Sequence, residues 1–242
     1  MVSKNQIKRI TSLQQKKFRM ENGLFIAEGL KVVAELLDSD FELEHLYVTD
    51  NAFADVDSKR RTLIGENDLK KMSSLSTPQT TLAIFKIPQP ANFEDSGLIV
   101  VLDDIRDPGN LGTLIRLCDW FGVRQIVCSN ETADLYNPKV VQATMGSLVR
   151  VQVNYAILTD YLQRTKLPVF GTFMNGENIY QQVFPKEGVV IFGNEANGIS
   201  AAVEKVVQNR ISIPRFGNLQ QTESLNVATA AAIILSEFRR LP

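Results

Sequence analysis

The sequence predicts an α/β protein with a largely parallel sheet, preceded by a smaller α/β unit, and three observations lead there. From Leu98 onward, short apolar runs alternate with amphipathic helical segments, and those runs are continuous, as in strands covered on both faces. Pro88 to Gly97, with two prolines and small polar residues, interrupts all periodicity and marks a junction. The 242 residues are 44% hydrophobic and 22% charged, an ordinary globular composition with material for a sizeable core. The expected organisation is a unit over 1–88, a linker over 89–97 and a second domain over 98–242.

In the first unit a polar helix is expected from Ser3 to Asn22-Gly23, carrying Lys4, Lys8, Arg9, Lys16, Lys17 and Arg19 along its sides. With Lys31 against Glu21 and Glu28, residues 1–31 carry +5, although the whole chain has a net charge of −1. This is either a solvated terminal helix or an arm that contacts RNA or DNA. Leu24–Ile26 reads as a strand, Glu28–Leu37 as a helix, His45–Thr49 as a strand, Asn67–Leu75 as a helix capped by Asn67, and Thr80–Ile87 as a strand. The stretch 56–61 gives no clear pattern.

Beyond the linker the expected strands are Leu98–Leu102, Gln125–Cys128, Pro168–Thr172, Val189–Phe192 and Arg210–Ile213. The helices are Leu111–Phe121, Lys139–Leu148, Leu158–Arg164 and Ser224–Phe238. The last is apolar nearly all round, so it belongs in the domain core or at a subunit interface. Trp120 reads as a packing residue whose ring could alternatively stack on a base.

Several chemistries are poorly supplied. One histidine, His45, and two cysteines without C-x-x-C spacing, Cys118 and Cys128, leave little for a zinc site or a histidine triad and suit a reduced cytosolic protein. No apolar run reaches the ~18–20 residues that span a bilayer. Neither a phosphate loop nor a G-x-S-x-G elbow occurs.

Polar residues collect where ligands bind in such sheets, just after the strands. Asp103 to Gly112 leads into a helix that Asn110 can cap and on which Arg116 lies opposite the apolar stripe. Gly193-Asn194-Glu195-Ala196-Asn197-Gly198 follows a strand directly. Ile213-Pro214 is followed later by Ser224-Leu225-Asn226 at the mouth of the final helix. Taken alone, each is an ordinary turn or cap, and Asp103, Asp104 and Asp107 could instead bind magnesium for phosphoryl transfer.

In this order the three sites resemble the SpoU (TrmH-like) branch of the SPOUT RNA methyltransferases. Asn110-Leu111-Gly112-Thr113-Leu114-Ile115-Arg116 matches N-x-G-x-x-x-R, and Gly193, Glu195 and Gly198 match the family's second loop. Ile213-Pro214 and Ser224-Leu225-Asn226-Val227 match its third motif, and Asn137–Val141 with Ala143–Gly146 its intervening segment. The segments Phe25–Gly29 and Ser76–Ala83 are similar to the small substrate-binding domain that precedes many SpoU catalytic domains and resembles RNA-binding ribosomal proteins. The resemblance implies a trefoil-knot methyltransferase domain that pairs as a homodimer. It also implies methyl transfer from S-adenosylmethionine, without a metal, to a ribose 2′-hydroxyl of ribosomal RNA. Transfer RNA as substrate, or RNA binding without catalysis, are the alternatives. It places Asn110, Arg116, Glu195, Ser224 and Asn226 at the reaction site and the backbone at Gly193, Ile213 and Leu225 on the cofactor. A guanidinium, with a pKa above ~12, is a poor base, so Arg116 is read as a phosphate anchor and alkoxide stabiliser.

Overall fold

In the computed structural model, residues 2–90, 93–218 and 224–240 are described; Ala91 and Asn92 of the expected linker and the terminal Met1, Leu241 and Pro242 lie outside them. Packing divides the chain into two units, Met1–Pro90 with Asp134–Val149, and Ala91–Ala133 with Arg150–Pro242.

Helix α1 (Lys4–Ser12) starts in a capping box: the Ser3 hydroxyl accepts from the Gln6 N–H, and the Gln6 side chain accepts from the Ser3 N–H. The single helix expected to run on to Asn22 is instead broken after Ser12, and the chain restarts as α2 (Lys16–Asn22), ending on Gly23 in the left-handed region at φ 63°. The break has a local cause. Leu13 is buried in the core, and the Arg19 guanidinium donates to the carbonyls of Leu13 and Gln14 at 2.9 and 2.8 Å, satisfying groups that have left the helical ladder.

Strand β1 (Leu24–Glu28), α3 (Leu30–Leu37), β2 (Leu43–Val48), β3 (Arg61–Leu63), α4 (Glu66–Met72) and β4 (Thr81–Lys86) follow. Helix α4 begins after Gly65, so Asn67 lies inside it and is not its cap. The sheet has order β1-β4-β2-β3, with β4 antiparallel to both neighbours and β3 parallel to β2. Strand alternation sends Leu24 and Ile26 to a core with Ile10, Leu13, Leu69 and Met72, and Phe25 and Ala27 to a second core with Val33, Leu36 and Phe85. Both faces are covered, so β1 is buried along its whole length.

The second unit begins with β5 (Leu98–Asp103), α5 (Pro108–Trp120) and β6 (Gln125–Cys128). The chain then contributes Asp134–Val149 to the first unit, as α6 (Pro138–Thr144) and a 3-10 turn at Ser147–Val149, whose Val141 and Leu148 join the Phe25 core. Back in the second unit come β7 (Gln152–Tyr155), α7 (Leu158–Arg164), β8 (Val169–Asn178), β9 (Gly188–Gly193), α8 (Ala201–Glu204), β10 (Asn209–Ser212) and α9 (Val227–Phe238). Strand β7 carries Gln152 and Asn154 on a half-covered edge and therefore offers no apolar run to read.

All five strand pairings in this six-stranded sheet are parallel, in the order β10-β8-β9-β5-β6-β7. Strands β5 and β9 are neighbours with Asp103 beside Gly193, yet the chain leaves β5 toward β6 on one side and leaves β9 toward β10 on the other. That reversal opens a crevice at their carboxyl ends, the general ligand position in such sheets. Helix α9 packs on α5 and buries Ala231, Ile234 and Leu235. No helix among the described residues is long and apolar enough to cross a membrane.

Candidate active site

The loop after β5 is set by its aspartates. Asp103 is buried and accepts from the Ser200 N–H at 2.7 Å, tying the end of β5 to the start of α8. Asp104 stands at φ 60° and accepts from Arg106 at 2.7 Å, while its backbone N–H donates to the Ser129 hydroxyl. Asp107, not Asn110 as expected, caps α5, its carboxylate accepting from the Asn110 N–H at 2.7 Å. Each carboxylate thus has its own partner, and the three do not form a magnesium site. Among the described residues no group of three or more His, Cys, Asp or Glu side chains is placed to hold a metal.

With the cap supplied by Asp107, the Asn110 side chain is released into the crevice. Its amide nitrogen donates to Glu195 Oε1 at 2.6 Å, and its carbonyl accepts from the Asn226 amide at 3.0 Å. Asn226 also caps α9, its carbonyl accepting from the N–H groups of Ala228 and Thr229 at 2.9 and 3.3 Å. These contacts orient one another. The N–H groups of α9 take the Asn226 carbonyl, so its NH2 faces Asn110; the Asn110 carbonyl must then face Asn226, leaving the Asn110 NH2 for the carboxylate. The positive end of α9 is linked in this way to Glu195 through two amides of fixed polarity.

Glu195 is carried on a loop held shut by Asn194, whose backbone N–H and carbonyl pair with Gly198 at 3.0 and 2.8 Å. The Asn194 amide donates to the Asp104 carbonyl at 2.8 Å, and its side-chain oxygen accepts from the N–H groups of Ala196 and Asn197. Gly193 is required by close approach: a Cβ there would lie 2.2 Å from the Gly198 carbonyl carbon and 2.3 Å from the Ile199 nitrogen. Asn194 is the residue that sequence reasoning missed. Its signal, an Asx-type turn former directly after a strand, was present but looks like any tight turn.

The structure therefore brings together Asn110, Glu195 and Asn226. Gly193 ends β9, Ile213 directly follows β10 and is half-buried, and Ser224 and Leu225 lead exposed into the α9 cap. Arg116 is exposed on α5 and, among the described residues, its guanidinium makes no hydrogen bond. Trp120, one turn farther along that helix, is 84% exposed and does not take the packing role expected of it. Cys118 and Cys128 are buried free thiols, and burial pushes both pKa values far up.

Of the expected nucleic-acid contacts, Lys4, Lys8, Arg9, Lys16 and Lys17 are exposed. Arg19 is a correction. Its side chain is 2% exposed and ion-paired with Asp134, with Nε also donating to Asp134 at 3.0 Å, so it holds the fold and presents nothing to a polyanion.

Residues 97–236 match the SpoU rRNA Methylase family and residues 4–83 the MRM3-like substrate binding domain. Over its whole length the chain is similar to the 23S rRNA (guanosine(2553)-2′-O)-methyltransferase RlmP of Bacillus subtilis, at 31% identity covering 98% of this chain and 97% of that one. Among solved structures it resembles a candidate RNA methyltransferase of the TrmH family from Porphyromonas gingivalis, with TM-score 0.89, 37% identity and 98% of each chain covered. It also resembles an AdoMet-bound rRNA methyltransferase from Sinorhizobium meliloti, with TM-score 0.87, 30% identity, and 99% and 96% of the two chains covered. A match spanning more than half of the chain, together with relatives of equal length, makes this protein a member of the SpoU rRNA methylase family, with an MRM3-like substrate-binding domain before the methylase domain.

Proposed function

We propose that the protein transfers a methyl group from S-adenosylmethionine to a ribose 2′-hydroxyl of large-subunit ribosomal RNA. The observation that carries this reading is the Asn226–Asn110–Glu195 chain at the switch point of the parallel sheet. Its donor set suits the cofactor: the Glu195 carboxylate attracts a sulfonium cation, and the two amides supply neutral hydrogen-bonding groups. Backbone groups at Gly193, Ile213 and Leu225 hold the cofactor, which when bound supplies a methyl group already activated by positive charge.

The chain's own residues then have to position the hydroxyl and accommodate its proton. Holding the attacking oxygen in line contributes several of the ~7–11 kcal/mol available to oriented reactants. Asn110 and Asn226, locked in one polarity, fix the crevice wall; Ser224 and Glu195 complete the polar lining. Arg116 anchors the adjoining phosphate and stabilises charge developing on the ribose oxygen, which a permanently charged, planar guanidinium does without giving up a proton. Lys4, Lys8, Arg9, Lys16 and Lys17 supply phosphate contacts on the substrate-binding unit.

Along the chain we read 1–88 as RNA-binding, 89–97 as a linker and 98–242 as catalytic, with the segment Asp134–Val149 packing into the first unit, a trefoil knot in the catalytic domain and a homodimer formed through it. Exposed Trp120, on the helix that packs against α9, supports the pairing, since it leaves an aromatic surface for a second copy to cover. The free, buried cysteines fit a cytoplasmic location; the absence of membrane association is part of the same reading.

The test is incubation of the protein with labelled S-adenosylmethionine and unmodified total RNA, followed by mapping of 2′-O-methyl positions. Label in large-subunit rRNA ribose is expected. Label in a base would refute the ribose assignment, label confined to tRNA would refute the ribosomal one, and no label in any RNA would leave an RNA-binding protein without catalysis.

A further inference from the structure

The first unit contains a cavity of about 180 Å³ between α1 and the exposed end of β2, and no assigned role uses it. Its floor is aliphatic, from Ile10, Leu24 and Ile84, and its wall is the aromatic pair His45 and Tyr47, with ring centroids 4.7 Å apart. Arg9 and Glu44 stand at the rim. His45 is held in place by Thr62, with Nε2 and Oγ1 2.8 Å apart. Among the described residues the Arg9 guanidinium is exposed and makes no hydrogen bond, while Tyr47 is largely buried and lines the cavity from within.

An apolar floor and an aromatic wall are the parts that take an unpaired base, and Arg9 supplies the phosphate contact against the opposing charge of Glu44. A dry cavity of about 150 Å³ holds a benzene ring, so an open one of this volume admits a planar base.

We propose that this cavity binds one unpaired base of the RNA substrate, stacked on His45 and Tyr47 with its phosphate on Arg9. The inference rests on the reading of RNA as substrate. A free nucleotide shares the base and phosphate chemistry, and the test separates the two sources.

His45 is the sole histidine of the chain, so its imidazole resonances are resolved without further labelling schemes. The full-length protein is titrated with single-stranded hexaribonucleotides, with nucleoside monophosphates and with inorganic phosphate, while RNA binding is followed separately by anisotropy and methyl transfer by label incorporation. The expected result is a saturable upfield ring-current shift of the His45 ring protons with the hexamers, a weaker one with monophosphates, and none with phosphate alone. Arg9→Ala and His45→Ala are expected to weaken hexamer binding about tenfold each. If His45→Ala does not fold, the titration of the unaltered chain still decides the matter. RNA that binds and is methylated while the His45 signals stay still overturns the pocket and leaves the methyltransferase reading intact. An equal shift with phosphate alone makes the site an anion site and overturns base stacking. Absence of both RNA binding and methylation removes the functional reading and the pocket with it.

Discussion

Arg19→Ala separates a structural cation from a nucleic-acid contact. The guanidinium donates to two backbone carbonyls and pairs with Asp134, whose own side chain is 12% exposed, so truncation strands a largely buried carboxylate and two carbonyls. Breaking a buried pair from one side costs about 3–5 kcal/mol. At about 2–4 °C per kcal/mol for a chain of this size, the melting temperature should fall by about 6–20 °C. Replacing both partners, Arg19→Met with Asp134→Leu, should recover part of that loss, because no lone charge remains while the Leu13 and Gln14 carbonyls stay unpaired. The assay is thermal unfolding of the three proteins, followed by RNA binding against salt at a temperature where all are folded. Lys8→Ala should reduce the slope of log affinity on log salt by about 0.7–0.9, one phosphate contact, whereas Arg19→Ala should leave it unchanged. A wild-type melting temperature together with a reduced slope in Arg19→Ala would refute the burial argument and restore Arg19 as an RNA contact.

Asn226→Ala should cost about 1 kcal/mol of stability through the lost cap and lower methyl transfer about 10- to 100-fold; Asn226→Asp keeps the cap but not the amide donor, so its stability should hold while activity falls. Unimpaired transfer by Asn226→Asp would dispose of the polarised chain. Arg116→Lys, measured by single-turnover methyl transfer, should be slowed about 100-fold, and full activity would mean that neither bidentate anchoring nor planar charge stabilisation is its role. Burial lowers the His45 pKa below its ordinary 6.5, so below that pH the unfolded chain takes up the proton first and stability falls as pH falls. Denaturation midpoints at pH 7 and 5.5 should differ less in His45→Gln than in the unaltered chain. Cys118 and Cys128, buried with pKa values raised by burial, should resist alkylation until the protein unfolds, and prompt labelling of the native chain would contradict their placement.

The second unit was legible because its strands are continuous apolar runs and its helices have sharp signals. Gln125–Cys128 and Leu158–Arg164 fall where periodicity puts them. Strand β7 was not legible, since a polar edge strand has no pattern of its own. The three site loops were legible as strand-to-helix junctions, and through their motifs as a family. Their internal division of labour was not: a capping residue and an amide that reaches across the crevice look alike in one dimension, and only the placement of Asp107 shows that the Asn110 side chain is not the cap.

By itself the sequence determined most of the strands and helices, the polar loops at the strand ends and the family, because these depend on local periodicity and short motifs. Tertiary structure decided which of those residues act together. Asn226 and Asn110 are 116 residues apart, Asn110 and Glu195 85, and Arg19 and Asp134 115. Their roles depend on contacts made across those separations, where burial turns one exposed-looking arginine into a core ion pair and a helix cap fixes the polarity of the amide chain at the sheet's switch point.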